Sequence, residues 1–123
     1  MYKYSFEKLE VWKQSRVLVK EVYAITDKFP SEEKYGLTSQ VRRAAVSVSS
    51  NLAEGSARKT AKDQAYFTTI AYGSLMELLN QLILASDLEY FNSKELVQIR
   101  PKIEEVGNKL NALRNSQNQR VTK

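Results

Sequence analysis

Polar side chains form a stripe of their own on the segment from Leu37 to Gly55, which otherwise consists largely of apolar and small residues. The members of the stripe follow one another at spacings of three or four: Gln40, Arg43, Ser47, Asn51 and Glu54. An α-helix has about 3.6 residues per turn, so these side chains share one narrow sector beside an apolar sector. The pattern predicts a helix that is packed on more than one side.

Residues that favour helix ends flank the first two predicted helices. Apolar residues recur at helical spacing from about Phe6 to Lys28, and Pro30 disfavours helix at the residue before it. Thr38 is predicted to be the N-cap of the second helix, because its hydroxyl can accept a free backbone amide. Gly55 is predicted to close that helix.

The third and fourth predicted helices carry their own start signals. Thr60 with Asp63 three positions later is a variant of the capping box and predicts a third helix that runs to about residue 88. Asn92 and Ser93 predict the start of the fourth. Pro101 lies inside the fourth pattern, and because an interior proline costs roughly 3 kcal/mol we expect a kink or a restart near it.

The connections between the predicted helices are short, and short connections place consecutive helices side by side. No segment alternates in the manner of a β-strand. The sequence therefore predicts an all-α protein, an antiparallel up-and-down four-helix bundle formed by residues 1–114. The polar tail of residues 115–123 is expected to be disordered.

A second polar stripe follows the predicted third helix and is interrupted by a glycine; its members are Gly73, Ser74, Glu77 and Gln81. A glycine inside a helix costs about 1 kcal/mol relative to alanine, so we expect close packing at this position. An antiparallel turn centred near Arg58 places Arg43 near Gly73 and Gln40 near Met76.

The two stripes predict an ion pair between Arg43 and Glu77 within a hydrogen-bond network that fixes the register of the two helices. A ligand or catalytic pocket, and an exposed stripe without a role, are the alternatives. The residues assigned to this network or to an interface are Gln40, Arg43, Ser47, Asn51, Glu54, Gly73, Ser74, Glu77 and Gln81.

Positive charge is concentrated in one part of the chain. The net charge is +5, from 19 basic and 14 acidic residues, and the segment from Lys34 to Lys62 holds six basic residues against one acidic residue. Such a surplus favours contact with the phosphates of RNA or DNA, without base-specific reading, although exposed basic residues are more often simply solvated. The predicted nucleic-acid-binding residues are Lys34, Arg42, Arg58, Lys59 and Lys62.

The absence of cysteine and histidine removes thiolate and imidazole chemistry. We therefore predict no catalytic residue, no metal site and no cofactor. Glu54 or Glu77 would have to carry any reaction, and neither has a second acid or a metal ligand in the pattern. No apolar run is long enough for a signal peptide or a membrane span, which predicts a cytoplasmic protein without a membrane partner.

Three segments carry a resemblance to a known family: FEKLEVWKQS, YAITDKFPSEEKYGLTSQVRRAAVSVSSNLAEGSAR and IAYGSLMELLNQL. They resemble the four-helix-bundle proteins encoded within intervening sequences of bacterial 23S ribosomal RNA genes, once labelled S23 ribosomal proteins. The resemblance covers about residues 6–90 and rests on the patterns FP-x-x-E, Q-x-R-R-A, N-x-A-E-G and G-S-x-x-E. Leu52, where isoleucine is usual, and Pro101 depart from the pattern.

The resemblance implies an antiparallel four-helix bundle, commonly a ring-shaped homopentamer, without established enzymatic activity. The same superfamily is similar to the accessory variability determinant protein of diversity-generating retroelements, a basic pentamer that binds nucleic acid and partners a reverse transcriptase. By motif, the resemblance picks out Phe29, Pro30, Glu33, Gln40, Arg42, Arg43, Ala44, Ser47, Asn51, Ala53, Glu54, Gly55, Gly73, Ser74 and Glu77.

Three functional hypotheses follow. The first is a non-enzymatic homo-oligomer, a pentamer by resemblance, that binds RNA or DNA through backbone-directed basic patches. The second is a scaffold that binds a protein partner, such as a reverse transcriptase or another nucleic-acid-processing enzyme. The third is an enzyme that uses Glu54 or Glu77, and the residue types favour it least.

Overall fold

The computed structural model describes residues 1–121, and four α-helices form most of this part of the chain. They are α1 (Glu10–Thr26), α2 (Leu37–Ser56), α3 (Ala61–Asp87) and α4 (Ser93–Val121), with short 3-10 turns at Ser5–Lys8 and Ser31–Glu33. Residues 1–121 contain no β-strand. The predicted all-α class and four-helix bundle are confirmed.

Each helix packs against two others, and α2 with α3 forms the most extensive of these contacts. Consecutive helices are neighbours, and α1 also contacts α4, so the four helices close around one core, as an antiparallel up-and-down bundle does. The innermost side chains come from all four helices and are fully buried: Val22, Val41, Val48, Leu75, Leu78, Leu82, Ile103, Val106 and Leu110. They are the periodic apolar positions from which the helices are predicted.

The end of α2 packs closely against the start of α3. Gly55 is buried inside α2, one residue before its end, and a Cβ atom built on it would lie 2.8 Å from the Cβ of Phe67. The prediction that Gly55 closes the helix is therefore wrong. It has no left-handed backbone conformation, and the missing side chain is needed because the two helices approach each other there.

The start of α2 also differs from the prediction. Gly36 is the N-cap, and Thr38 is buried in the first turn. The cap comes instead from Glu33, whose Oε1 accepts the Leu37 backbone N–H at 3.0 Å and whose Oε2 accepts the Tyr90 hydroxyl at 2.7 Å. One carboxylate thus caps α2 and ties the α1–α2 connection to the α3–α4 connection.

The other helix starts follow the sequence signals more closely. The Thr60 Oγ1 accepts the Asp63 backbone N–H at 3.1 Å, and the Asn92 Oδ1 accepts the Lys94 backbone N–H at 2.8 Å. The predicted first helix begins later than expected, at Glu10, because the 3-10 turn and Leu9 precede it.

Helix α4 is longer and more continuous than the sequence predicts. It passes through Pro101 without a restart, with Ile99 and Ile103 buried on either side, so core packing holds the helix across the missing hydrogen bond. The expectation of disorder from residue 115 is wrong for residues 115–121, which are helical. Gln117 is buried there, and its Oε1 accepts the Thr68 hydroxyl at 2.7 Å. Residues 122–123 lie outside the described residues.

The close approach of α2 and α3 predicts opposite effects of two glycine substitutions. Gly55→Ala forces a methyl group against Phe67 and should lower the free energy of unfolding by about 1 to 3 kcal/mol. Gly73→Ala is the matched control, because no atom lies within 4 Å of the position of its Cβ, and it should stabilise the bundle by about 1 kcal/mol. Urea unfolding measures the free energy of both variants. Equal stabilisation by the two substitutions would contradict the close approach.

The Glu33 carboxylate predicts a specific loss of stability in acid. The hydrogen bonds from the Leu37 amide and then from the Tyr90 hydroxyl hold the pKa of Glu33 below its ordinary value of 4.5. A group with a lowered pKa stabilises the fold above its unfolded value, and this contribution is lost as the pH falls below 4.5 through the folded value.

Glu33→Gln should therefore lower stability at pH 7 and flatten its fall below pH 4.5, measured by urea unfolding across that range. Glu32→Gln is the control, because it removes a neighbouring charge without breaking either hydrogen bond. Parallel pH curves for the wild type and Glu33→Gln would rule out this role for Glu33.

Candidate nucleic-acid interface

The polar stripes of α2 and α3 meet in the middle of the two helices. The hydroxyls of Ser47 and Ser74 lie 2.8 Å apart, and the Asn51 side-chain amide donates to both the carbonyl and the hydroxyl oxygen of Ser47, at 2.8 and 3.0 Å. Ser47 therefore lies opposite Ser74. Because the helices are antiparallel, Arg43, one turn before Ser47, lies opposite Leu78 and not opposite Gly73 as predicted.

The predicted ion pair between Arg43 and Glu77 is wrong. No nitrogen of Arg43 comes within 4.0 Å of the Glu77 carboxylate, and both side chains are exposed on the outer faces of their helices. Water solvates such groups well, so an exposed pair gains little by forming. Glu77 instead accepts the Gln81 side-chain amide of its own helix at 3.2 Å.

The remaining stripe residues differ in their surroundings. Gln40 and Glu54 are exposed, and within residues 1–121 their side chains make no hydrogen bond or ion pair. Gly73 is exposed as well. Gln81 is only 6% exposed, and its Oε1 has no hydrogen-bond partner in the described part of the chain. The structure thus joins Ser47, Ser74 and Asn51 in one network and leaves the other members outside it.

Three of the five predicted nucleic-acid-binding residues lie together. Arg58, Lys59 and Lys62 are exposed at the connection between α2 and α3. The Arg58 guanidinium lies over the ring of Phe67, 4.6 Å from its centroid, which fixes where this charge is held. The first turn of α3 adds free backbone amides at the same place.

The last turns of α4 bring a fourth basic side chain to this connection. The Gln64 side chain bridges the two, because its amide donates to the Arg58 carbonyl at 3.0 Å and its carbonyl accepts from Arg120 at 2.9 Å. We call Arg58, Lys59, Lys62 and Arg120 the basic end. Sequence reasoning missed Arg120 because it assigned residues 115–123 to a disordered tail. Leu113 and Gln117 continue the helical spacing of the fourth helix, and this signal could have revealed it.

Lys34 and Arg42 do not belong to the basic end. Lys34 lies in the connection between α1 and α2, at the opposite end of the bundle, over the ring of Tyr35. The Arg42 guanidinium pairs with Asp27 at 3.0 Å, donates to the Thr26 hydroxyl at 2.8 Å and lies over the ring of Tyr23. Arg42 therefore joins α2 to the end of α1.

Charge is divided along the length of the bundle. The half that contains the basic end, formed by residues 1–18, 47–74 and 107–121, has ten basic and four acidic side chains, a net charge of +6. The other half, formed by residues 19–46 and 75–106, has eight basic and ten acidic side chains, a net charge of −2. The folded chain thus offers an anion one favourable end.

Residues 1–121 meet the requirements of neither a metal site nor a membrane-spanning helix. This part of the chain has no group of three or more acidic side chains placed to hold a metal ion. None of its helices is both long and apolar enough to cross a membrane. The groove between α1 and α4 contains Gln14, whose amide donates to Glu105 at 3.0 Å, beside the exposed Val17.

Comparison with known families agrees with the motif resemblance. The family model described as 23S rRNA-intervening sequence protein matches residues 7–112, which include all of α1, α2 and α3 and most of α4. Among curated proteins, none matches the chain. Because the family model covers most of the sequence and the fold is the predicted helical bundle, this chain belongs to the 23S rRNA-intervening sequence protein family.

Proposed function

We propose that this chain is a non-enzymatic, homo-oligomeric bundle that binds RNA or DNA through the sugar-phosphate backbone at its basic end. The single observation that carries the proposal is the convergence of Arg58, Lys59 and Lys62 with Arg120 from a different helix. Two separate segments of the chain, residues 58–62 and the last turns of α4, supply these charges, and their placement depends on the fold and not on a run of basic sequence.

The geometry favours phosphates as the ligand. Arginine and lysine side chains at an exposed, convex end of a bundle can reach phosphate oxygens without entering a groove. Binding of this kind is insensitive to sequence and weakens steeply with salt, because it is driven by the release of counterions.

Support for homo-oligomerisation comes from the outer face of α3. Apolar side chains are exposed on α3 and on the residue that follows it, at 38% to 63% of their surface: Tyr66, Met76, Leu84 and Leu88. Gly73 lies between them with open space around it, although a glycine there weakens the helix. A second copy packed on this face would bury these side chains. The motif resemblance implies five copies in a ring, and a ring with parallel subunits would place all basic ends on one side.

The same outer face of α3 supports a second candidate function. A protein partner, such as a reverse transcriptase or another nucleic-acid-processing enzyme, could cover Leu84 and Leu88 in place of a second copy. The chain would then act as a scaffold. A partner that remains bound after nuclease treatment distinguishes this function from nucleic-acid binding.

The basic end predicts how the affinity for RNA depends on salt. Replacing Arg58, Lys59 and Lys62 together by alanine should reduce the slope of log affinity against log salt by about 2 to 3, because each lost phosphate contact removes about 0.7 to 0.9. Fluorescence anisotropy with a labelled oligonucleotide measures the slope. The control, Lys34→Ala with Lys94→Ala and Arg100→Ala, removes the same charge from the other half and should leave the slope unchanged. An equal reduction of the slope in both variants would show that binding depends on net charge alone.

The outer face of α3 predicts the effect of a charge on assembly. Leu84→Glu places a carboxylate in the proposed contact between copies and should convert the oligomer into monomers. Val97→Glu is the matched control, because Val97 is 69% exposed on α4 and lies outside the proposed contact. Size-exclusion chromatography with light scattering gives the number of subunits. A wild-type chain that is monomeric at all concentrations would reject the oligomer.

A further inference from the structure

A chain of aromatic rings runs along the segment before α1 and ends on its first turn. The centroids of Tyr2 and Tyr4 are 4.9 Å apart, those of Tyr4 and Phe6 are 6.4 Å apart with nearly parallel planes, and those of Phe6 and Trp12 are 5.1 Å apart. We call these four residues the aromatic strip. Tyr2, Tyr4 and Phe6 alternate in the sequence, but the contact with Trp12 forms only when the segment folds back onto α1.

The two ends of the aromatic strip have different surroundings. Phe6 and Trp12 are half-buried; Trp12 packs against the core and Phe6 contacts the Trp12 ring, which gives both a structural role. Tyr2 and Tyr4 are 75% and 61% exposed, so they contribute little to burial within the subunit. The segment is nevertheless held in place, because the Tyr4 backbone N–H donates to the Glu7 carboxylate at 3.0 Å and the Tyr4 carbonyl accepts the Glu7 backbone N–H at 3.1 Å.

A groove of about 730 Å³ continues from the strip between α1 and α2. Phe6 and Trp12 form its aromatic wall, and Val19 and Val46 add apolar surface. Basic side chains border it, since Arg16 lies over the Trp12 ring at 5.5 Å from the centroid and Lys20 lines the groove.

The charge of this region favours an anionic ligand. Arg16 and Lys20 line the groove, and Lys3 lies between Tyr2 and Tyr4 in the sequence. The acidic side chain that lines the groove, Glu7, accepts the backbone N–H of Tyr4. Exposed aromatic side chains beside several cations match the chemistry of a single nucleic-acid strand, which offers unpaired bases for stacking and phosphates for pairing. A duplex offers only its phosphates, because its base faces are covered by neighbouring bases.

We infer that the aromatic strip stacks unpaired bases, with Lys3, Arg16 and Lys20 neutralising the adjacent phosphates, so that the chain prefers single-stranded to double-stranded nucleic acid. This inference rests on the proposed nucleic-acid binding and adds a ligand class and a second contact region to it. The basic end then supplies affinity for the sugar-phosphate backbone of any nucleic acid, and the aromatic strip supplies the preference for a single strand.

The test compares a labelled uridine oligonucleotide with a duplex of the same length, using the full chain and fluorescence anisotropy. Tyr2→Ala with Tyr4→Ala should weaken single-strand binding about tenfold or more and change duplex binding less than about twofold. Tyr2→Phe with Tyr4→Phe keeps the rings and should restore single-strand binding. Tyr35→Ala is the control, because Tyr35 is 89% exposed at the opposite end of the bundle.

Trp12 provides a second readout, since it is the only tryptophan of the chain and belongs to the strip. Its fluorescence should be quenched by the single strand and little changed by the duplex. Equal affinity of the wild type and the double alanine variant for the single strand would overturn the inference, as would equal losses for both oligonucleotides.

The outcomes also separate the inference from the proposed function. Salt-sensitive binding that depends on Arg58, Lys59 and Lys62 but not on Tyr2 and Tyr4 overturns the inference about the aromatic strip and leaves the proposed function standing. Absence of binding to either oligonucleotide overturns both. A change in subunit number when Tyr2 and Tyr4 are replaced by alanine, measured by light scattering, would show that the strip contacts a second copy and would also overturn the inference.

Discussion

The close approach of α2 and α3 is the constraint on which the rest of the structure depends. At the end of this pair Gly55 leaves room for the side chain of Phe67, and in the middle the hydroxyls of Ser47 and Ser74 meet at 2.8 Å. Small residues make both contacts possible, because a larger side chain at either place would separate the backbones. A fixed pair in turn fixes the connection between the two helices, where Arg58 and Lys59 lie.

This arrangement also divides the charge of the chain between the two ends of the bundle. A net charge of +5 spread evenly over the surface would attract phosphates poorly, whereas the fold divides residues 1–121, which exclude Lys123, into one half of +6 and another of −2. Helix α4 completes the separation, because its last turns bring Arg120 to the Gln64 bridge. The buried hydrogen bond between Thr68 and Gln117 holds these turns against α3. In the last turns of α4, Gln117, which makes a structural contact, and Arg120, a candidate binding residue, are therefore neighbours.

The sequence predicts the fold well because the core requires apolar residues at a helical spacing, and this spacing is visible in any one helix. The role of an individual residue is predicted less well where its type is compatible with two roles. Gly55 serves helix packing and not a helix end, and Thr38 is buried while Glu33 provides the cap from outside the helix. Both errors arise because the residues that adjoin a position in the sequence do not show which distant residue it contacts in the fold.

The candidate site is predicted only in part for the same physical reason. Arg58, Lys59 and Lys62 are close in sequence and therefore close in space, but Arg120 reaches them only through packing of α4. Arg43 and Glu77 carry opposite charges at similar positions along the bundle axis. Both side chains face solvent, and they form no ion pair. The aromatic strip depends on a segment that folds back onto α1, and no helical period reports it.

Hydrogen–deuterium exchange on the full chain, with and without a single-stranded oligonucleotide, tests most directly whether the basic end binds nucleic acid. The account predicts that bound nucleic acid slows amide exchange at residues 56–62 and 114–121, the two segments that form this end. The connections at residues 27–36 and 88–92, at the opposite end, should exchange as in the free protein. Protection confined to those two connections, or no protection anywhere under conditions of saturating binding, would contradict it.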